Sequence, residues 1–197
     1  MQILTEIASM YITLMAVTLG GITNMFVVRL PYFKQHKKPI DGGLCLKDGK
    51  RLFGDNKTWQ GAASMIVLCM FYQVIWGFAC HVMGLEHLNQ FYDRYPNSLL
   101  YNIITGAALG LVYILCELPN SFIKRRLNIT PGKTSTGLKG KLFFVIDQID
   151  SQIGVSALLF PIAGISVLKY IAYVVLGGLT HISINLILYK MKVRRNI

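Results

Sequence analysis

The stretch IASMYITLMAVTLGGITNMFVV, residues 7–28, contains no charged side chain. A hydrocarbon core about 30 Å thick is crossed by roughly 20 apolar residues of helix, each rising about 1.5 Å. This run is long enough to span a bilayer, and it sets the fold class. Residues 62–83 form a second uncharged run, and residues 98–118 a third, with Glu117 near its end. The last apolar stretch, 151–189, is too long for one span and holds Lys169 near its middle, so a tight turn is expected there. The expected fold is an all-α integral membrane protein, a single polytopic domain over 1–197. Its five helices are placed at about 7–28, 62–83, 98–118, 151–168 and 170–189, with two long cytoplasmic loops, 29–61 and 119–150, forming the active site. Composition agrees: 53% of the 197 residues are hydrophobic and the mean hydropathy is +0.48, well above a soluble domain. No positive residue precedes the first run, which exceeds a usual signal-peptide core, so a retained helix is expected.

A net charge of +11 raises the question of nucleic acid, and the distribution of the charges argues against it. Eight basic residues fall in the first long loop: Arg29, Lys34, Lys37, Lys38, Lys47, Lys50, Arg51 and Lys57. Six follow in the second: Lys124, Arg125, Arg126, Lys133, Lys139 and Lys141. The tail adds Lys190, Lys192, Arg194 and Arg195, and only Arg94 and Lys169 are left for the other side. With five spans, these three segments share one face. By the positive-inside rule that face is cytoplasmic, which puts the N-terminus outside and the C-terminus inside the cell membrane. The four cysteines show no Cys-x-x-Cys spacing and read as small hydrophobic residues.

The polar loops are where chemistry is expected. Loop one carries Asp41, Asp48 and Asp55 among glycines and basic residues; loop two carries Asp147 and Asp150, with Glu117 at its threshold. Glycine allows close backbone approach, Lys and Arg neutralise phosphate, and Asp holds a divalent cation. A solvated orienting loop accounts for the basic residues alone, without the glycines and aspartates. Asp147 and Asp150, three apart, share a face if helical and can share a cation; capping of the next helix N-terminus is the other reading. The outer segment 84–97 reads as plain connection. His181, Asn185 and Tyr189 form a polar stripe on the last helix, suited either to substrate contact or to inter-helix hydrogen bonding.

Two blocks carry a family resemblance. Pro39-Ile-Asp-Gly with Asp48-Gly-Lys-Arg-Leu-Phe-Gly-Asp-x-Lys-Thr-Trp-x-Gly61, and Ser121-x-x-Lys-Arg125 followed by Asp147-x-x-Asp150, resemble the CTP-dependent lipid cytidylyltransferases. Within that group the resemblance is to the CDP-archaeol synthase branch, which is related to the CDP-diacylglycerol synthases. It implies that the phosphate of a lipid, of the archaetidic or phosphatidic acid type, attacks the α-phosphorus of Mg²⁺-bound CTP and displaces pyrophosphate. On that basis Asp147, Asp150 and Glu117 would hold metal, and Lys124 and Arg125 phosphate. Asp41, Asp48, Arg51, Asp55, Lys57 and Ser121 would complete the CTP site, and Asn24, His181 and Asn185 would line a lipid pocket. The expected partners are CTP, a membrane phospholipid and the bilayer, without nucleic acid. One position departs: the family's usual Gly-Asp ahead of the signature serine is Cys116-Glu117 here. A CTP-dependent polyprenol kinase and a small transporter or scaffold remain as alternatives, whereas the Asp-Gly-x-x-Ala-Arg pattern of a CDP-alcohol phosphatidyltransferase is absent.

Overall fold

The computed structural model describes residues 2–131 and 136–191. Lys133, Lys192, Arg194 and Arg195 lie outside those residues. Among the described residues seven α-helices form in order: α1 (Gln2–Val27), α2 (Pro31–Gln35), α3 (Trp59–Val82), α4 (Leu99–Arg126), α5 (Gly137–Ala157), α6 (Leu159–Ala163) and α7 (Val167–Lys190). Among the described residues, five helical stretches are long and apolar enough to cross a membrane, with α5 and α6 together counting as one. Two isolated bridges, Pro39 with Thr58 and Cys45 with Arg51, are the β-type pairings there.

The bundle is ordered α1, α3, α4, α5, α7, each helix packing mainly on its neighbours. Small residues set the closest approach. A Cβ on Gly106 would lie 2.6 Å from Met70 Cα, and one on Gly110 2.5 Å from Ile66 Cα. This Gly-x-x-x-Gly pair therefore lets α4 lie against the backbone of α3, as membrane helices do when burial in lipid gives no hydrophobic drive. Between α1 and α3 the links are polar: Trp76 Nε1 donates to the Ile12 carbonyl at 2.7 Å and Thr23 meets Tyr72 at 2.8 Å. Val17, Met65, Cys69, Leu109, Val155 and Tyr173 fill the centre.

Three expectations change. The third span does not stop at residue 118: α4 runs through Pro119 to Arg126. The fourth begins at Gly137 rather than 151, so the expected 119–150 loop shrinks to the segment between α4 and α5, and Asp147 and Asp150 stand mid-helix. A capping role for that pair is thereby removed. The reason lies in the facing of α5. Leu138, Leu142, Val145 and Ile153 point outward, spaced as on one helical face, while the polar residues turn inward. Averaged hydropathy hides such a helix. The turn between the last two spans falls at Gly164, in the left-handed region (φ 67°), and at Ser166, whose hydroxyl caps α7. Lys169 lies in the first turn of α7, paired with Glu6 at 2.9 Å.

The segment 84–97 is more than a connection. Two short 3-10 turns, Glu86–Leu88 and Gln90–Tyr92, close the bundle end farthest from the polar loops. Phe91 and Asn89 are fully buried. Gln90 links α1 to α7, its N–H donating to Thr13 Oγ1 at 3.0 Å and its side-chain oxygen accepting from Tyr173 at 2.7 Å.

Candidate active site

At the opposite end, α4 and α5 face each other with complementary charge. Glu117, Asn120, Ser121 and Lys124 recur at helical spacing, so α4 presents them on one side. Across from them stand Asp147 and Asp150. The Asn120 amide Nδ2 donates to both, at 2.6 Å to Asp147 and 2.7 Å to Asp150. Lys124 pairs with Asp147 through both carboxylate oxygens, and Lys57 of loop one pairs with Glu117. Two carboxylates one helical turn apart repel unless donors lie between them. Here an amide and an ammonium do that work.

Arg125 is buried beside Gly54. Its Nε and Nη1 have no hydrogen-bond partner, and a Cβ on Gly54 would lie 3.4 Å from Nη1 and 2.8 Å from Pro131. Gly54 adopts a φ of 95°, so this position requires glycine on both conformational and spatial grounds. Asn120 Oδ1 is likewise buried without a partner. Buried polar atoms without partners are costly in a finished structure and suit a ligand that would complete them.

Loop one is a built unit. The Asp41 side chain is shielded from solvent and accepts from Arg51 Nη2 at 2.5 Å, from the backbone N–H of Phe53 and Gly54 at 2.9 Å each, and from Gly43 at 3.2 Å. Burial alone would raise its pKa; the Arg51 guanidinium and the three N–H donors outweigh that and hold it well below the usual carboxylate range. Arg51 also donates to Asp55 at 2.8 Å, and these contacts raise its own pKa, with Asp41 contributing most. Arg126 fastens the loop to α4. Its Nη1 donates to both Asp48 oxygens at 2.7 Å and its Nη2 to the Lys50 and Arg51 carbonyls, while Lys50 Nζ reaches the Arg126 carbonyl at 2.8 Å. Partial desolvation raises the Asp48 pKa, but the Lys50 N–H and the Arg126 charge lower it by more. Thr58 caps α3, accepting from the Gly61 N–H at 3.1 Å.

The sequence-derived residues therefore fall into groups. Glu117, Lys124, Asp147, Asp150 and Lys57 converge, while Arg125 lies against Gly54 of loop one. Asp41, Asp48, Arg51 and Asp55 are spent largely on loop one and its tether. Ser121 lies on the converging side of α4, half-buried. Asn24 joins α1 to α3, accepting from Ser64 at 2.5 Å and donating to the Gly61 carbonyl at 3.4 Å. Asn185 donates to Gln148 of α5 at 2.7 Å, an inter-helix bond, and His181 lies 3.4 Å from the Tyr113 hydroxyl. Asn120 is outside the set read from sequence, and Arg126, one of the basic residues read in the second loop, is spent on Asp48. The spacing of Asn120 from Glu117 and Lys124 is the signal that identifies it.

Among the described residues no three His, Cys, Asp or Glu side chains converge as a ready metal cage; Glu117 is engaged by Lys57 instead. The hard oxygens of Asp147 and Asp150 nonetheless suit Mg²⁺, which is commonly held by one or two carboxylates plus substrate phosphates.

Fold and site together define a multi-pass intramembrane enzyme, in which acids and cations from two membrane helices and one polar loop meet at one end of a five-span bundle. The profile of the CarS-like family, CDP-archaeol synthase, matches residues 6–196, and the chain belongs to that family. CDP-archaeol synthase of Pyrococcus furiosus is 32% identical over 155 residues, 78% of this chain and 80% of that one. The Thermococcus onnurineus protein of the same name is 30% identical over 156 residues, 78% and 79% of the two chains. The Methanococcus aeolicus one is 24% identical over 187 residues, 88% and 94%. A solved structure of an intramembrane enzyme for archaeal membrane lipid biosynthesis shares the fold, with a TM-score of 0.60 and 21% identity, covering 89% of this chain and 92% of that one.

Proposed function

We propose that this enzyme transfers CMP from CTP to the phosphate of an archaeal-type diether lipid, giving a CDP-lipid and pyrophosphate. The observation that carries this reading is the convergence of Asp147 and Asp150 with Asn120 and Lys124, beside the Lys57–Glu117 pair, at one end of the bundle. The choice of lipid rests on the relatives' name. An oxygen of the lipid phosphate bonds to the α-phosphorus of CTP as the bond to the β-phosphate oxygen breaks. That oxygen is already anionic, so positioning and charge neutralisation matter more than a general base. Asp147 and Asp150 would hold Mg²⁺, which offsets charge building on the leaving pyrophosphate. Lys124, Arg125 and Lys57 neutralise the phosphates, and Arg125 brings donors that no protein acceptor uses. Loop one, fixed by Asp41 and Arg126, forms the polar wall over the nucleotide. The basic face lies in the cytoplasm, where CTP is found.

Purified protein with α-labelled CTP, Mg²⁺ and a diether glycerol phosphate tests this. Label is expected in the lipid phase, with pyrophosphate released one for one. Asp150→Asn is expected to lower turnover about a thousandfold with its thermal transition retained. Label left in CDP would mark a kinase and overturn the proposal.

A further inference from the structure

One turn deeper than Glu117, α4 places Tyr113, and side chains from three other helices gather around its hydroxyl. His181 Nε2 of α7 is 3.4 Å away. The fully buried Ser151 hydroxyl of α5 lies within hydrogen-bonding reach of it and finds no other partner among the described residues. On α1, Gly21 faces it, a Cβ there falling 3.9 Å from the Tyr113 oxygen. Glu117 and Asp150 are within Coulombic reach, so this group is the floor of the site just described.

The floor lies where α1 and α7 are least tied. Their Glu6–Lys169 pair and the Gln90 link belong to the far end. Polar side chains at membrane depth turn toward partners or toward a path that a substrate uses. Beyond the Tyr113 hydroxyl, the buried Ser151 oxygen finds no partner among the described residues, which leaves it capacity for a ligand.

We infer that Tyr113, Ser151 and His181 form a subsite for the phosphate monoester of the lipid substrate, separate from the cations that take the nucleotide. This rests on the proposed transfer reaction and adds the place from which the nucleophile approaches. Hydroxyl and imidazole donors bind phosphate oxygens without a fixed charge, so the attacking oxygen keeps its nucleophilicity. A phosphate whose tails remain in hydrocarbon enters beside Gly21, where α1 offers no side chain, and stops under the carboxylates.

The test is steady-state kinetics with both substrates varied. Tyr113→Phe and His181→Ala are each expected to raise KM for the lipid phosphate about tenfold, the usual effect of losing a hydrogen bond to a charged group, while KM for CTP and kcat change less than about twofold. His181→Gln, which keeps a donor, should recover part of the loss. Tail-less sn-glycerol 1-phosphate should inhibit wild type competitively against the lipid and inhibit Tyr113→Phe more weakly, which separates headgroup recognition from tail binding. An unchanged lipid KM in Tyr113→Phe overturns the subsite. So does a parallel fall in kcat, CTP affinity and thermal midpoint, which marks a packing role. A wild-type protein that fails to transfer CMP defeats the reaction itself, a result distinct from either.

Discussion

Asp41 illustrates how a residue of ligand type can serve architecture. Its two oxygens receive four donors from within loop one, so the aspartate of Pro-Ile-Asp-Gly holds the loop together. A carboxylate held ionised by the fold stabilises that fold above the unfolded pKa of about 3.9. That contribution is lost as pH falls toward the depressed folded value. Pepsin cleavage between residues 41 and 57 should therefore be negligible near pH 5 and appear below about pH 4. Asp41→Asn should expose the loop at every pH, since uncoupling a buried pair costs roughly 3 kcal/mol. The types of residue in the candidate site were legible in the sequence, and so was the spacing of Asp147 and Asp150. Their roles were less so, because Arg51 and Arg126 answer carboxylates whose positions only the folded chain reveals. Asn120 was missed because it carries no charge.

For the helices, the number and type followed from length and hydropathy, while the limits of α4 and α5 did not. Both helices turn polar groups inward and apolar groups outward at the site end, so a window that averages around the circumference reads them as loop. Pro119 strengthened that reading, although α4 continues through it. The α4–α5 contact also explains the Cys116-Glu117 departure. A Cβ on Gly154 of α5 would run into the Cys116 sulfur and Val112 Cγ1, so the room that a glycine at 116 would give is supplied here from the facing helix. Gly154→Ala should lower stability by about 1–3 kcal/mol through overpacking, read as a fall in thermal midpoint in detergent. Adding Cys116→Gly should restore part of it, the Val112 contact remaining, a coupling that independent sites would not show.

Across the whole molecule, charge is segregated along the bundle axis: the basic loops and the site occupy one end, and the 3-10 plug the other. Cys45 reports which end faces the cytoplasm, being exposed in loop one, whereas Cys69 and Cys80 are buried. A membrane-impermeant maleimide is expected to leave Cys45 unlabelled in intact cells and to modify it after permeabilisation. Labelling from outside would invert the proposed topology.

The clasp between Arg126 and Asp48 spans 78 positions of chain. During synthesis the earlier half of that clasp emerges well before the later one, and α3 and most of α4 must be made in between. Loop one is therefore fastened to the bundle only after the third membrane-spanning helix has been translated. A chain ending before Arg126 is therefore expected to leave loop one untethered, open to a protease that the full-length protein resists.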